Sequence, residues 1–261
     1  MQRLENIMYT LPSPFETLTL LRESGVPYNT DFLYDPAHVA DAEGTVSKAI
    51  VLGVYGANLS YVSVFEDNPS SIKYLACITR LMEDLGIGQA FSGGTMDRIM
   101  TNRTNPDSVQ QIVSEAYYSA NALLKDNAQE HLAAIVLAGG WLEGLYIATQ
   151  LAETTPDNEE LMATITDQKY ALENLLELLG TFEGHTRVNT LSDRLGELHQ
   201  LFEVSTEEMA TTVEEREKDG QTVTVIGGGL QSNLNADQLS QITALVLNIR
   251  ADYLSVEESA D

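Results

Sequence analysis

The chain has 261 residues, of which 43% are apolar, enough for a sizeable hydrophobic core and too many for a disordered chain. It carries 39 acidic and 14 basic residues, which gives a formal net charge of −25. A surface this negative repels the phosphate backbone of nucleic acids, so we expect no nucleic-acid partner. The single cysteine, Cys77, excludes a disulfide within the chain.

The sequence of the first third of the chain predicts three main helices. Ser13-Pro14-Phe15-Glu16 is a capping box that starts a helix, and Gly25 ends it. A connection with one short helical turn near Pro36 follows. We then predict a long apolar helix over 45–65 and a third helix over 69–85.

The middle of the chain predicts a second set of helices. After a glycine-rich link and a short helix near 95–101, Asn105-Pro106 starts a new helical pattern. The pattern predicts helices near 106–125, 128–152 and 156–179. A leucine stripe over 190–202 predicts a further helix.

These two sets of helices resemble each other in sequence. The segment Ala-Ile-Val-Leu at 49–52 recurs at 134–137, an offset of 134 − 49 = 85. The match continues with Tyr61 and Tyr146, and after two inserted residues with Pro69 and Pro156. Because the insertion falls between helices, the pattern indicates a duplicated three-helix unit, with copies at about 13–86 and 105–180.

The last part of the chain changes character. Asp219-Gly220 lies between two threonine- and valine-containing runs, which predicts a type I′ hairpin with strands around 211–217 and 222–226. An alternative is a helix over 205–218, started by a second capping box. A final helix is expected over 236–254.

We therefore predict a mainly α fold in two parts. Residues 1–202 form one helical bundle from the duplicated units. Residues 203–261 form a small C-terminal β-hairpin and a final helix, packed on the same domain.

The candidate site lies on the two central helices of this bundle. Asn58 and Glu143 occupy equivalent positions in the two copies, since 143 − 58 = 85, and each interrupts an apolar helix. A buried carboxylate must find a partner or a proton. We predict that Asn58 and Glu143 lie close together in a ligand-binding cavity that they line with Tyr61, Trp141 and Tyr146. The alternatives are a structural hydrogen-bond network, or a Glu143 that reaches solvent.

Small residues on the central helices predict that their backbones approach closely. The residues concerned are Gly56, Ser60, Gly140, Gly144 and Ala148.

The chain shows no other motif of known chemistry. The four histidines match no zinc motif, and no phosphate loop or nucleophile elbow is present, so we predict no metal and no cofactor. The sequence therefore predicts a non-enzymatic helical scaffold or binding protein, acting on a small molecule or a protein partner. The alternative is an enzyme with a centre between the two repeats, in which Glu143 is the acid or base.

No segment is expected to span a membrane. The best candidate, 49–65, contains glycines and polar residues and is typical of a buried core helix.

Three segments carry a resemblance to known proteins. The run Leu-Gly-Val-Tyr-Gly-Ala-Asn-Leu-Ser-Tyr at 52–61, the link Leu-Gly-Ile-Gly at 85–88 and Gly-Gly-Trp-Leu-Glu at 139–143 resemble a group of all-helical exported or lipoprotein-type proteins of Bacteroidota. The resemblance covers about residues 10–255. It implies a periplasmic or outer-membrane-tethered location, with any signal or lipid anchor absent from this sequence. The alternative is a cytoplasmic location. The resemblance implies no activity.

Overall fold

A computed structural model describes residues 14–91, 94–102, 105–208, 212–218, 221–227, 230–232 and 234–254. The described part of the chain is mainly helical. Its α-helices are α1 (Pro14–Glu23), α2 (Gly44–Val64), α3 (Asn68–Asp84), α4 (Thr95–Asn102), α5 (Pro106–Asp126), α6 (Glu130–Thr154), α7 (Glu159–Gly180), α8 (Thr186–Ser205) and α9 (Ala236–Leu254). Short 3-10 helices cover Pro36–Ala40 and Gly88–Phe91.

The helices begin where the sequence supplies capping side chains. Asp67, Asn105 and Asn158 each accept a hydrogen bond from a backbone N–H in the first turn of α3, α5 and α7. Such caps satisfy amides that the helix itself leaves without partners. The prediction of a mainly α fold is confirmed. The proposed capping residue of α1, Ser13, lies outside the described residues.

The two central helices, α2 and α6, pack directly against each other. Both are buried along nearly their whole length, because neither has a broad polar face. In the first half of the chain α1 and α3 pack on α2, and in the second half α5 and α7 pack on α6. The final helix α9 packs against α6 and α8 and also meets α2. The core is therefore one continuous cluster of side chains.

The backbone between α8 and α9 forms short paired strands. Strand β1 (Thr206–Glu208) pairs antiparallel with β4 (Leu230–Ser232), and β2 (Thr212–Lys218) pairs antiparallel with β3 (Gln221–Gly227). In the second pair, Lys218 lies opposite Gln221. The turn residues Asp219 and Gly220 lie outside the described residues, so the type I′ hairpin stays a prediction.

Candidate functional site

The site begins with the close approach of α2 and α6. A methyl group added to Gly53 would overlap the carbonyl oxygen of Val136, and one added to Gly139 would overlap the carbonyl oxygen of Ile50. The backbones are in contact at these two glycines, which holds the polar residues of the two helices near each other.

The sequence prediction placed part of this contact at the wrong residues. A Cβ at Gly56 or Gly144 would meet no atom within 4 Å. Spacing of four residues identifies a helix face, but it does not say which small residue lies at the crossing point. The predicted residue Gly140 does lie at the crossing, because a Cβ on Gly53 would come within 2.6 Å of its backbone nitrogen. Gly53 itself lies three residues before the predicted Gly56.

Asn58 and Glu143 meet between the central helices, as predicted. Both residues are fully buried, with 0% exposure. The Asn58 Nδ2 donates to Glu143 Oε1 at 2.8 Å and to the Val54 carbonyl oxygen at 2.8 Å. The Asn58 Oδ1 accepts a hydrogen bond from the backbone N–H of Tyr34 at 3.0 Å. The Asn58 amide thus has a protein partner at both of its ends.

The charge of Glu143 is balanced by Arg250 from α9. The Arg250 Nε donates to Glu143 Oε2 at 2.6 Å, and a terminal guanidinium nitrogen donates to Glu143 Oε1 at 3.1 Å. Such two-point pairing of a guanidinium with a carboxylate is among the strongest side-chain contacts in proteins. It explains how a carboxylate is tolerated at zero exposure.

Aromatic rings enclose the guanidinium. Its central carbon lies 4.2 Å from the ring centroid of Tyr146 and 5.7 Å from that of Tyr34. Both distances are within the range of a cation–π contact. The Tyr34 hydroxyl also donates to the backbone oxygen of Leu254 at 3.3 Å, which ties the loop before α2 to the end of α9.

The electrostatics of the cluster favour a charged Arg250. Burial acts to lower the pKa of this guanidinium, but the hydrogen bonds and negative charge of Glu143 outweigh it, and the pKa is raised. Burial also raises the pKa of the Tyr146 hydroxyl, with Arg250 opposing and Glu143 adding to the effect. Tyr146 is therefore a neutral ring beside a fixed ion pair.

Tyr61 joins this cluster indirectly. Its hydroxyl oxygen accepts a hydrogen bond from the backbone N–H of Asn29 at 3.1 Å. The ring of Phe32 lies 6.1 Å from the Tyr61 ring and 6.4 Å from the Tyr146 ring, between centroids. Tyr61 and Tyr146 thus contact the same phenylalanine from the loop that precedes α2.

Trp141 does not share the Asn58–Glu143 contact. Its indole Nε1 donates to Gln168 Oε1 on α7 at 3.1 Å. Residues two apart on a helix point to different sides, so the Trp141 indole and the Glu143 carboxylate have different neighbours in this structure. A role for Trp141 in a ligand site stays a prediction.

Sequence reasoning missed Arg250 and Tyr34. Arg250 follows the buried residues Ile242, Val246 and Ile249 at helical spacing, on the side of α9 that packs on the bundle. A basic residue on the apolar face of a helix predicts a buried acidic partner, and a buried Glu143 requires a basic one. The sequence therefore contained the information that Arg250 could pair with a buried acid. Tyr34 contributes a backbone N–H, which no side-chain pattern reveals.

The geometry fits a structural contact better than a reacting centre. Both carboxylate oxygens of Glu143 accept hydrogen bonds from the chain's own side chains, and none of its surface is exposed. A general acid or base must reach a proton of its substrate. One open groove at the surface is lined by Ser24 and residues 155–160, none of which belongs to the predicted site.

Within the described ranges one helix, α6, is long and apolar enough to cross a membrane, with a mean hydropathy of 1.6 in its best window. In that window 89% of the residues are buried inside the bundle, which is also what the core helix of a globular domain shows. The best candidate in the sequence was instead 49–65, which is α2 from Ala49 to its end and the residue that follows it.

Comparison with known protein families, with curated proteins and with solved structures gives no match to this chain.

Proposed function

We propose that this chain is a non-enzymatic helical scaffold or binding protein, and that Glu143, Asn58 and Arg250 form a buried clasp that fixes its C-terminal helix. The observation that carries the proposal is that Arg250 and Asn58 occupy both oxygens of a fully buried carboxylate. The contacts join α2, α6 and α9, which come from three separate parts of the chain. A binding surface built on such a frame keeps its shape without a bound cofactor.

A double-mutant cycle on Glu143 and Arg250 tests the clasp. We expect Glu143→Leu and Arg250→Met each to lower the free energy of unfolding by about 3–5 kcal/mol, because each leaves a buried charge without its partner. The double variant should lose much less than the sum, since no unpaired charge remains. Urea unfolding followed by circular dichroism measures all four proteins.

The alternative, an enzyme with Glu143 as acid or base, predicts a different result. Catalytic and ligand-binding groups are held at some cost to stability, so Glu143→Gln would leave stability unchanged or raise it. The same variant would then abolish turnover or ligand binding. A stable Glu143→Gln protein, together with additive single variants in the cycle, would refute the clasp.

The partner and the location belong to the same proposal. With a net charge of −25, a basic protein or a small cationic molecule is favoured as the partner over an acidic one. The resemblance to exported helical proteins of Bacteroidota supports a periplasmic or outer-membrane-tethered location. Fractionation of cells producing the full-length gene product would test the location independently of the clasp.

We also propose that the two halves of the bundle arose by duplication. The offset of 85 residues that joins 49–52 to 134–137 also joins Asn58 to Glu143, the pair in contact between the central helices. Equivalent positions on two helices related by a twofold axis approach that axis together. The ancestral unit would then have paired with its own copy, and a separately produced N-terminal half should associate with the C-terminal half.

A further inference from the structure

A second cluster of charged side chains lies on the surface between α7 and α8. His199 and Glu203 are four residues apart on α8 and therefore share a face of the helix. Glu173 faces them from α7. The His199 Nε2 lies 3.4 Å from Glu173 Oε1 and 3.8 Å from Glu203 Oε1, and the three donor atoms all lie within 4.8 Å of one another.

These donor types and distances suit a transition-metal ion. Zinc binds imidazole nitrogen and carboxylate oxygen at about 2.0–2.2 Å, so neighbouring ligand atoms in a tetrahedral site lie roughly 3.3 Å apart. The two distances from the imidazole nitrogen are close to that value. The ligands come from two packed helices, and the two carboxylate oxygens lie within 4.8 Å of each other. Three protein ligands leave a fourth position for water.

A lysine competes for one of these ligands. The Lys169 Nζ lies 2.8 Å from Glu203 Oε1, and the lysine side chain is 8% exposed. The cluster therefore already attracts a cation, yet one ammonium balances only one of the two carboxylates. Glu203 can release Lys169 or use its second oxygen when a metal enters. Lys169 therefore lowers the affinity of the cluster for a metal ion.

We propose that Glu173, His199 and Glu203 bind a divalent transition-metal ion of the zinc class at the surface between α7 and α8. The site is separate from the Glu143 clasp and does not depend on the function proposed for the protein. The sequence analysis predicted no metal, and the third residue, Glu173, lies 26 residues away from His199.

Zinc titration of the full chain against a chromogenic chelator tests the site. We expect one zinc ion per chain, and a loss of affinity of at least about tenfold in His199→Ala and in Glu173→Gln, since even residues that only support a metal ligand cost about 10–100-fold. Lys169→Met should bind zinc more tightly than the unaltered chain. Circular dichroism checks that each variant remains folded.

The stacked pair His131 and His185, whose ring centroids are 3.9 Å apart, offers the matched control. Their double replacement by alanine should leave zinc affinity unchanged. Zinc binding that survives His199→Ala, or that disappears with the His131 and His185 double variant, would overturn the proposal. So would the absence of zinc binding at millimolar concentrations of the ion. If Lys169→Met unfolds, the proposal still stands or falls on His199→Ala and Glu173→Gln.

Discussion

The buried ion pair at Glu143 and the surface cluster at Glu173 and Glu203 differ in how completely the chain neutralises their carboxylates. Between α2, α6 and α9, the carboxylate of Glu143 meets one guanidinium in a two-point contact, with the glutamate side chain at 0% and the Arg250 side chain at 16% exposure. Between α7 and α8, the Lys169 ammonium pairs with Glu203, and the His199 imidazole lies near both Glu203 and Glu173 at the surface. Burial requires a balanced charge, because an unpaired ion loses its hydration without compensation. A surface cluster can keep an excess of negative charge, and that excess is what a cation from solution can use.

Truncating one carboxylate in each place tests most directly whether burial determines its contribution to stability. We expect Glu143→Ala to lower the free energy of unfolding by about 3–5 kcal/mol, because Arg250, whose side chain is only 16% exposed, would lose its partner. Glu173→Ala should change it by about 0–1 kcal/mol, as exposed ion pairs usually do. Urea unfolding of the two variants under one set of conditions gives both values. Equal losses would show that burial does not separate the clusters.

Much of the framework that positions the buried cluster was predictable from sequence. The central helices, the caps of α3 and α5 at Asp67 and Asn105, and the meeting of Asn58 with Glu143 follow from periodicity, local side-chain chemistry and the offset of 85 residues. Periodicity and capping are properties of a single helix, and the offset of 85 residues relates one position on α2 to one position on α6. The function of these residues as a ligand site stays a prediction.

The errors all concern how helices are rotated and which element supplies a partner. Trp141 was grouped with Glu143 but hydrogen-bonds Gln168 on α7, and the close approach of the central helices was predicted at Gly56 and Gly144 as well as at Gly140. Arg250 lies 107 residues from Glu143, and no local pattern joins the two. Contacts of this kind depend on the assembled bundle, since packing decides which neighbours a helix face meets.

The close approach of α2 and α6 gives a second, smaller prediction. We expect Gly53→Ala to destabilise the protein by about 1–3 kcal/mol, because the new methyl group collides with backbone that cannot move freely. Gly56→Ala is the matched control three residues along the same helix, where a Cβ meets no atom within 4 Å. It should stabilise the helix by about 0.5–1 kcal/mol, the usual gain of alanine over glycine. Thermal melts of both variants measure the difference, and two changes of the same sign would contradict this placement of the crossing.

The smallest effect we predict is a dependence of stability on pH that comes from the stacked histidines at the start of α6 and before α8. Burial, followed by the nearby charge of His185, lowers the pKa of His131 below its ordinary value of 6.5. The unfolded chain therefore takes up this proton more readily than the folded chain does. The contribution to stability is fully present above pH 6.5 and is lost as the pH falls below 6.5 towards the folded pKa.

We expect the urea midpoint of the unaltered chain to fall between pH 7.5 and 5.5 by more than that of His131→Phe, which keeps a ring on His185 but cannot be protonated. His38→Phe, at a histidine paired with Asp41, is the control for histidines outside the stack. If His131→Phe retains the full pH dependence of the unaltered chain, the stacked pair contributes nothing to it.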